Sequence, residues 1–179
     1  MALRLGCLLT VAVIACVSAV GSAAHATRSA AAARIPALPA QDASITGSCP
    51  IPARFRPAFE RAAADAGLQL SMLVAVAQVE SEFNPGARSH ADARGLLQVM
   101  PTTAAELNLD VDKPSSNVLA GARYLRLLLS RFQRTDLALA AYNAGPTVVT
   151  KLGRAPTLET ETYVANVQRR WAALAGCAW

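Results

Sequence analysis

Apolar residues recur at helical spacing from about residue 55 to the end of the chain. In the first such stretch they follow the i, i+3, i+4, i+7 pattern of one helix face, as Phe55, Ala58, Phe59, Ala62, Ala63 and Ala66. Gly67 comes next and favours a helix end, because glycine tolerates the left-handed backbone that closes many helices. The pattern predicts a first helix that ends at Ala66.

A second helix is predicted to open near Ser71, a residue type that caps helix N-termini well, and to run to about Phe83. The Asn-Pro-Gly sequence at residues 84–86 then breaks it, because proline and glycine both disfavour continuation of a helix. Residues 84–95 are predicted to form a loop.

Further helix starts are marked by proline and by capping residues. They are Pro101 with a capping box formed by Thr103 and Glu106, Pro114, Asp136 and about Glu159. The helix after Pro114 is long, and its apolar face consists of Val118, Ala122, Leu125, Leu128, Leu129 and Phe132. The helix at Asp136 is expected to end at residues 143–146, and the last helix at about Ala175. No segment alternates apolar and polar residues around a two-residue turn, so the predicted fold class is all-α.

The first 26 residues have the pattern of an export signal. Arg4 precedes an uncharged, apolar run over residues 5–20, and Ala24-His25-Ala26 is the expected cleavage site. A membrane-spanning helix is one alternative, but the run is shorter than the roughly 20 residues that a span needs. The other alternative is cleavage before Cys16, which ends a Val-Ile-Ala-Cys sequence similar to a bacterial lipoprotein box.

Residues 27–48 are rich in Ala, Ser and Pro without apolar periodicity, and we interpret them as a flexible linker. The rest, residues 49–179, is long enough to bury one core. Loss of residues 1–26 leaves two cysteines, Cys49 and Cys177, at the two ends of this domain. We predict that they form a disulfide in the exported chain, with two unpaired thiols as the alternative.

Charge and composition narrow the range of partners. The chain carries a net charge of +5, which falls by one without Arg4 and suits an anionic polymer. Nucleic acid is disfavoured, because the arginines are scattered singly from Arg54 to Arg170 without a basic helix or interleaved aromatic residues. With His25 and His90 as its histidines, the sequence has no metal-ligand cluster, and no cofactor is expected.

Glu80 stands out because it shares the apolar face of the predicted second helix with Leu73, Val76 and Ala77. Burial penalises a charged carboxylate, so it raises the carboxyl pKa and keeps the acid protonated near neutral pH. Glu82 lies roughly 200° further around the helix and is expected to face solvent. The alternative interpretation of Glu80 is a buried structural carboxylate paired with an arginine.

Five sequence blocks, in order along the chain, resemble the motifs of the soluble lytic transglycosylase family. They are Glu80-Ser81-x-Phe83-x-Pro85-x-Ala87-x-Ser89; Gly95-Leu96-x-Gln98-Val99-Met100-Pro101-x-Thr103-Ala104; Asn117-x3-Gly121-x2-Tyr124-Leu125; Ala141-Tyr142-Asn143-Ala144-Gly145-Pro146; and Glu159-Thr160-x2-Tyr163-Val164. Together they run from residue 80 to residue 164 and cover most of the predicted domain.

This resemblance implies a goose-lysozyme-like helical domain with a substrate cleft, which cleaves the β-1,4 bond between N-acetylmuramic acid and N-acetylglucosamine in peptidoglycan. Glu80 matches the family's single catalytic glutamate. That residue protonates the glycosidic oxygen and then takes the proton of the muramyl 6-hydroxyl as this oxygen attacks C1, leaving a 1,6-anhydromuramyl end. The internal hydroxyl replaces the water or enzyme nucleophile of the two-carboxylate scheme. Asp92 stays open as a second acid.

The resemblance also implies a set of substrate-binding residues. Ser89, Gln98 and Met100 match substrate-contacting positions, with loop bonding or core packing as the alternatives. The Ser89 hydroxyl and the Gln98 amide can form hydrogen bonds to sugar hydroxyls without carrying a charge. Tyr142 and Asn143 match a motif whose tyrosine helps to position the glutamate and the substrate.

Glu159 and Tyr163 match a pair on the wall of the cleft. For Glu159 the alternative is a carboxylate that complements the positive end of a helix dipole. Asn117, Gly121 and Tyr124 are interpreted mainly as packing residues, and the glycine is expected to allow a close approach between helices.

The chain departs from the residues common in the family at two positions. Leu97 stands where methionine is common, and the two side chains have nearly the same volume. Asp92 stands where glycine is common and adds a charge beside the cleft. This loop position is expected to need a positive φ, which aspartate tolerates better than most residues.

The leading interpretation is an exported lytic transglycosylase of the periplasm or cell wall, acting as a monomer on peptidoglycan glycan strands. This interpretation is compatible with a lytic transglycosylase that associates with a secretion or conjugation apparatus. A hydrolytic lysozyme-type muramidase is an alternative with related chemistry, and a non-catalytic wall-binding module is a third.

Overall fold

The computed structural model describes residues 47–177 of the chain. Within them lie the helices α1 (Arg56–Ala66), α2 (Leu70–Glu80), α3 (Pro101–Glu106), α4 (Pro114–Phe132), α5 (Thr135–Ala144), α6 (Pro146–Leu152) and α7 (Leu158–Ala173). This part of the chain contains isolated β-bridges, Arg88 to Arg94 and Arg94 to Val99, but no strand. The all-α prediction is confirmed. The predicted export signal, the lipid attachment at Cys16 and most of the predicted linker lie outside the described residues.

The core forms where α1 packs on α4, α4 on α5, and α7 on both α2 and α5. Each of these helices contributes a fully buried side chain, namely Phe59, Leu73, Leu125, Leu139 and Val167. In α2 the eight residues from Leu70 to Ala77 are all buried. The second helix is therefore enclosed by its neighbours, and its last residue, Glu80, lies where this enclosed segment ends.

The two most periodic helices match their predictions. Gly67 closes α1 with a φ of 60°, as its position after Ala66 suggested. The predicted apolar face of α4 is turned inward, with Val118 and Leu125 buried and Phe132 partly buried. None of the helices within residues 47–177 is both long and apolar enough to cross a membrane.

The predicted limits of α2 were wrong at both ends. The helix begins after Gln69, and Ser71 is a buried residue inside it rather than its cap. It ends at Glu80 instead of Phe83, because tertiary contacts favour a turn there. The Ser81 hydroxyl donates to the Leu96 carbonyl at 2.8 Å, and the Phe83 ring packs edge-on against a core phenylalanine.

The predicted caps at Thr103 and Asp136 were also wrong. Met100 precedes α3, and Pro101 takes its first turn, where the missing N–H costs nothing. Arg134 precedes α5, so Asp136 lies inside the first turn. There the negative charge of Asp136 complements the helix dipole. Its carboxylate oxygens accept hydrogen bonds from Arg134 at 2.6 and 3.1 Å.

Helix α6 was not predicted from the sequence, because its seven residues are too few to show an apolar period. Gly145 ends α5 with a φ of 89°, as expected, but Pro146 then starts α6 instead of a loop. The last helix begins after Thr157, whose hydroxyl oxygen accepts a bond from a backbone N–H of the first turn. It ends at Ala173, slightly before the predicted end at Ala175.

The predicted disulfide is present. Cys49 and Cys177 are bonded, with Cα atoms 4.8 Å apart across 128 residues of sequence. The Arg56 guanidinium donates to the Cys49 carbonyl at 2.7 Å. These contacts fasten the segment before α1 to the segment after α7.

Candidate active site

Glu80 occupies the C-terminal end of α2 and is partly buried. Burial raises the pKa of Glu80 from 4.5 to about 7, against a smaller lowering by a hydrogen bond from Tyr163. The partial negative charge at a helix C-terminus acts in the same direction as burial. Glu82 is exposed, as predicted. The Glu80 carboxyl thus has a pKa close to neutral pH, where it can both donate and accept a proton.

The partner of Glu80 is a phenol rather than an arginine. The Tyr163 hydroxyl donates to Glu80 Oε1 at 2.6 Å, where α7 packs on α2. Burial, followed by the charge of Glu80, raises the pKa of Tyr163 well above its ordinary value, so the phenol keeps its proton. The ion pairs formed within residues 47–177 do not include Glu80.

Tyr142 makes its hydrogen bond to the loop before α3 and not to Glu80. Its hydroxyl donates to the Leu97 carbonyl at 2.8 Å, and its ring packs on Tyr124 with centroids 5.4 Å apart. Tyr142 is therefore not hydrogen-bonded to the glutamate, although burial and, after it, the charge of Glu80 raise the pKa of Tyr142. Its role in positioning Glu80 stays a prediction. The tyrosine that touches Glu80 is Tyr163, which the sequence placed only on the cleft wall.

Gly121 of α4 lies directly against Leu97 and Tyr142. A Cβ atom built there would stand 2.4 Å from Leu97 Cδ1 and 2.9 Å from the Tyr142 hydroxyl. The glycine does allow a close approach, but its nearest partner is the loop at Leu97 rather than the helix that was expected, and Tyr142 of α5 comes next. Only glycine leaves room for the loop and the tyrosine to meet over α4.

Asn117 is a buried polar residue of the core, although the sequence suggested mainly a packing role. Its Oδ1 accepts from the Leu97 N–H at 2.9 Å, and its Nδ2 donates to the carbonyls of Arg94 at 2.8 Å and Val111 at 3.0 Å. The backbone at Gly95, with a φ of 74°, passes so close that a Cβ there would lie 2.7 Å from Asn117 Nδ2. One buried amide thus holds the loop onto α4.

Gln98 and Ser89 form some of their side-chain hydrogen bonds within the same loop. Gln98 Nε2 donates to the carbonyls of Ala87 at 3.1 Å and Gly95 at 3.0 Å. The Ser89 hydroxyl oxygen accepts from the Ala93 N–H at 3.0 Å, on an exposed part of the loop. Both residues therefore have the loop-bonding role that was their alternative. The Gln98 carbonyl oxygen and the Ser89 hydroxyl proton are the groups that these bonds do not use.

Asp92 takes the backbone conformation expected for it, with a φ of 67°. Its carboxylate accepts bonds from Arg94 at 2.8 and 3.0 Å and from Arg88 at 3.3 Å, and Asp112 bonds to the same two arginines. The hydrogen bond from Arg94 is the main cause that lowers the pKa of Asp92. A carboxylate held charged in this way does not suit the role of a second proton donor.

Two cavities meet at Asn143, which lines both of them. The smaller, of about 250 Å³, is lined by Gln98, Val99, Met100, Thr103, Tyr124, Tyr142, Asn143, Ala144 and Gly145. The larger, of about 470 Å³, is lined by Val79, Asn143, Leu158, Glu159, Thr162, Tyr163 and Asn166. The two linings together include the predicted site residues Gln98, Met100, Tyr142, Asn143, Glu159 and Tyr163. Glu80 lines neither cavity but bonds to Tyr163, and Ser89 lies on the neighbouring loop. Within residues 47–177, no three His, Cys, Asp or Glu side chains are placed to hold a metal ion.

Sequence reasoning missed the residues of α7 that extend this cleft. Leu158, Thr162 and Asn166 recur every four residues, which puts them on one stripe of the helix beside Glu159 and Tyr163. That spacing was the available signal. A further cavity of about 540 Å³ lies between α1 and the start of α4, and its lining contains none of the predicted site residues.

Comparison with known proteins agrees with this arrangement. The sequence model of a family described as the transglycosylase SLT domain matches residues 57–163, from α1 to Tyr163. The chain belongs to this family. Membrane-bound lytic murein transglycosylase F of Desulfosudis oleivorans is 42% identical over 100 residues, which are 51% of this chain and 22% of that relative. This SLT-domain chain thus spans less than a quarter of the length of that relative.

Solved structures of the family share the fold. An inactive mutant of lytic transglycosylase Slt from Pseudomonas aeruginosa matches with a TM-score of 0.61 at 31% identity, covering 69% of this chain and 25% of that chain. The 70 kDa soluble lytic transglycosylase of Escherichia coli matches with a TM-score of 0.59 at 28% identity, over 69% and 25% of the two chains. The expected lysozyme-like helical fold of the SLT-domain family is confirmed.

Proposed function

We propose that this protein is a peptidoglycan lytic transglycosylase, which cleaves the β-1,4 bond between N-acetylmuramic acid and N-acetylglucosamine and leaves 1,6-anhydromuramyl ends. The observation that carries the proposal is the partly buried carboxyl of Glu80, bonded to Tyr163 beside a cleft. Membership of the SLT-domain family supports the same reaction.

Glu80 has the chemistry for two successive proton transfers. A pKa of about 7 leaves enough of the protonated acid at neutral pH to donate to the glycosidic oxygen as the bond to C1 breaks. The resulting carboxylate is stabilised by the Tyr163 hydroxyl and then accepts the proton of the muramyl 6-hydroxyl, as that oxygen bonds to C1. The acid is thereby regenerated and no water is consumed.

The surroundings of Glu80 favour this scheme over a hydrolytic one. Burial raises the pKa of Glu80, and no neighbouring carboxylate within the described part of the chain contributes to the shift. Hydrolysis by paired carboxylates needs a second such group close by, to activate water or attack the sugar. Asp92 is held by Arg88 and Arg94 instead. We therefore assign the second step to the hydroxyl of the substrate.

The remaining site residues are proposed to bind the glycan strand. Met100, Tyr142 and Gln98 offer a thioether, a ring face and an amide to a sugar in the smaller cavity. Asn143 lies where that sugar meets the neighbouring cavity, and Glu159 lines the far side. Ser89 is proposed to reach the strand from the loop with its hydroxyl proton.

The protein is further proposed to act after export, in the periplasm or cell wall. The disulfide between Cys49 and Cys177 supports this, because such bonds persist in oxidising compartments. A monomeric state and association with a secretion or conjugation apparatus stay predictions. Cell fractionation, size-exclusion chromatography and crosslinking in cells check these three points.

Mass spectrometry of digested peptidoglycan tests the reaction. Anhydro ends lack one molecule of water relative to hydrolysed reducing ends. If the digest carries reducing ends that incorporate heavy oxygen from labelled water, the protein is a lysozyme-type hydrolase. Binding to purified walls without lysis by the parent would instead indicate a non-catalytic module, and equally fast lysis by the parent and Glu80→Gln would mean that another residue is the acid.

A further inference from the structure

Ser89 lies in an exposed stretch of its loop. The residues from Arg88 to Asp92 are all exposed, whereas the chain is buried again from Gly95 to Leu97. Packing against the core therefore fixes the second half of the loop but not the part that holds Ser89. Because the Ser89 hydroxyl is proposed to bond to the glycan strand, polar contacts have to hold it in place.

Hydrogen bonds make the position of Ser89 depend on Asp92 and Ala93. The Ser89 N–H donates to the Ala93 carbonyl at 3.0 Å, and the Ser89 carbonyl accepts from the Asp92 N–H at 3.0 Å. The Ser89 hydroxyl oxygen accepts from the Ala93 N–H, also at 3.0 Å, and this bond leaves the hydroxyl proton for a ligand. A shift of residues 92 and 93 therefore moves the Ser89 hydroxyl.

The carboxylate of Asp92 joins the two ends of this turn. It accepts two bonds from Arg94, at 2.8 and 3.0 Å, and one bond from Arg88 at 3.3 Å. Arg88 directly precedes Ser89, and Arg94 directly follows Ala93. The side chain that closes the turn thus belongs to a residue within it.

A second carboxylate connects the turn to the rest of the domain. Asp112, in the segment before α4, accepts from Arg94 at 2.9 Å and from Arg88 at 3.4 Å. The Arg94 carbonyl also accepts from the buried Asn117 at 2.8 Å. The two carboxylates and the two arginines therefore form a closed ring of ion pairs, which we call the ion-pair ring.

The ion-pair ring is better suited to fixing geometry than to stabilising the fold. An isolated exposed ion pair contributes little to the free energy of unfolding. Arg94, however, forms two bonds to Asp92, and such paired bonds restrict direction as well as distance. Its side chain is only 23% exposed, against 57% for Arg88, so solvent screens the Arg94 contacts less.

We propose that Asp92 is a positioning residue, which acts through Arg88 and Arg94 to hold the Ser89 hydroxyl where it meets the glycan strand. The inference rests on the proposed function. Without the Asp92 charge, the exposed turn is held by its backbone bonds alone. The Ser89 hydroxyl then spends less time in the position that binds the strand during the reaction.

The experiment compares two variants that each remove one negative charge. Asp92→Asn removes the charge of the ring and keeps a residue type that tolerates the φ of 67°. Asp65→Asn is the matched control, because Asp65 also accepts two bonds from one arginine, Arg123, at 2.8 and 2.9 Å. That pair joins α1 to α4, away from the loop. The value of kcat/KM for anhydro ends is measured for both variants, alone and combined with Ser89→Ala.

Asp92→Asn is expected to lower kcat/KM by about two- to fivefold, the range expected from the loss of exposed ion pairs. Asp65→Asn should keep the value of the parent. Combined with Ser89→Ala, Asp92→Asn should cause no further loss, because the hydroxyl that Asp92 positions is absent. The difference between the parent and Asp92→Asn should also shrink in about 1 M NaCl, where the Debye length is about 3 Å.

The outcomes separate this inference from the proposed function. A loss that persists in full beside Ser89→Ala overturns the inference, since Asp92 then acts by another route. Unchanged kcat/KM for Asp92→Asn, an equal loss for Asp65→Asn, or full activity of Ser89→Ala also overturns it. In all these cases anhydro ends still form and the function stands.

If no anhydro ends form, the proposed function fails, and binding decides the inference. The probe is a soluble oligosaccharide of alternating N-acetylglucosamine and N-acetylmuramic acid, bound to proteins that carry Glu80→Gln. Equal affinity with and without Asp92→Asn overturns the inference. A loss of affinity that disappears beside Ser89→Ala supports it.

Discussion

The Tyr163 hydroxyl lies 2.6 Å from Glu80 Oε1, although 83 residues separate the two in sequence. The bond stabilises the charged form of the carboxyl, whereas burial stabilises the neutral form. The balance of these two effects leaves the pKa of Glu80 at about 7. Tyr163 is thus expected to set the pH range in which Glu80 can both give and take a proton.

Replacement of Tyr163 with phenylalanine should raise the pKa of Glu80 above its present value, because only the effect of burial remains. The alkaline limb of the kcat/KM profile should move upward by roughly one pH unit, the size expected for a hydrogen bond to a charged group. The profile measured against Tyr124→Phe, whose ring packs on Tyr142, gives the control. An unchanged midpoint would show that the phenol does not act on the Glu80 carboxyl.

The raised pKa of Glu80 has a consequence for folding. The carboxyl titrates near 4.5 when unfolded and near 7 when folded, so the folded state binds more protons between these values. The stability contributed by this group is complete below the unfolded pKa. It is lost as pH rises through the folded pKa, by roughly 3 kcal/mol in total.

Glu80→Gln removes this loss, because the amide cannot ionise. The variant should be inactive, match the stability of the parent at pH 4, and be at least as stable at pH 8. Urea unfolding at the two pH values measures the difference, with Glu82→Gln as the control at an exposed position. A variant much less stable than the parent at pH 8 would mean that Glu80 is a charged, well-paired structural carboxylate.

Gly121→Ala should affect stability and activity together. The added methyl meets the Cβ and Cδ1 atoms of Leu97 at 2.6 and 2.4 Å, so the backbone of the loop has to move. Such overpacking costs about 1–3 kcal/mol. Loss of the contact between Leu97 and Tyr142 should also lower kcat/KM. Gly86→Ala, with 3.5 Å to its nearest atom, is the control, and equal effects of the two variants would contradict this account.

Loss of the disulfide should destabilise the domain. Replacement of Cys49 and Cys177 with serine frees a loop spanning 128 positions in the unfolded chain, which costs about 2–5 kcal/mol. The shift of the urea midpoint measures this cost. Two free thiols in the unreduced, denatured protein lacking residues 1–26 would show that the bond does not form after export.

The sequence was sufficient for the helices whose apolar period is strong. The end of α1 at Ala66 and the inward face of α4 followed from local spacing and from Gly67. The end of α2 did not, because it depends on the bond from Ser81 to Leu96 and on the packing of Phe83. These contacts join residues of different segments, and the apolar period within a single helix does not predict them.

The candidate site was likewise predictable only in part. The helical period placed Glu80 on an apolar face, and burial followed from that. The period gives the face of a helix but not the partner across it, so the choice of Tyr163 over Tyr142 was not predictable. The hydrogen bonds of Asn117 were not predictable either. Two of them go to backbone carbonyls, and the spacing of apolar residues does not indicate where those carbonyls point.

The disulfide also brings the two ends of the folded unit together. With the Cα atoms of Cys49 and Cys177 only 4.8 Å apart, the polypeptide enters and leaves the domain side by side. Such a unit tolerates fusion, insertion into a host protein or circular permutation, because none of these changes moves its interior. The matching part of the Pseudomonas aeruginosa structure is 25% of a much longer chain. The cysteine pair thus gives this helical domain the geometry of a module that joins a longer chain at a single place on its surface.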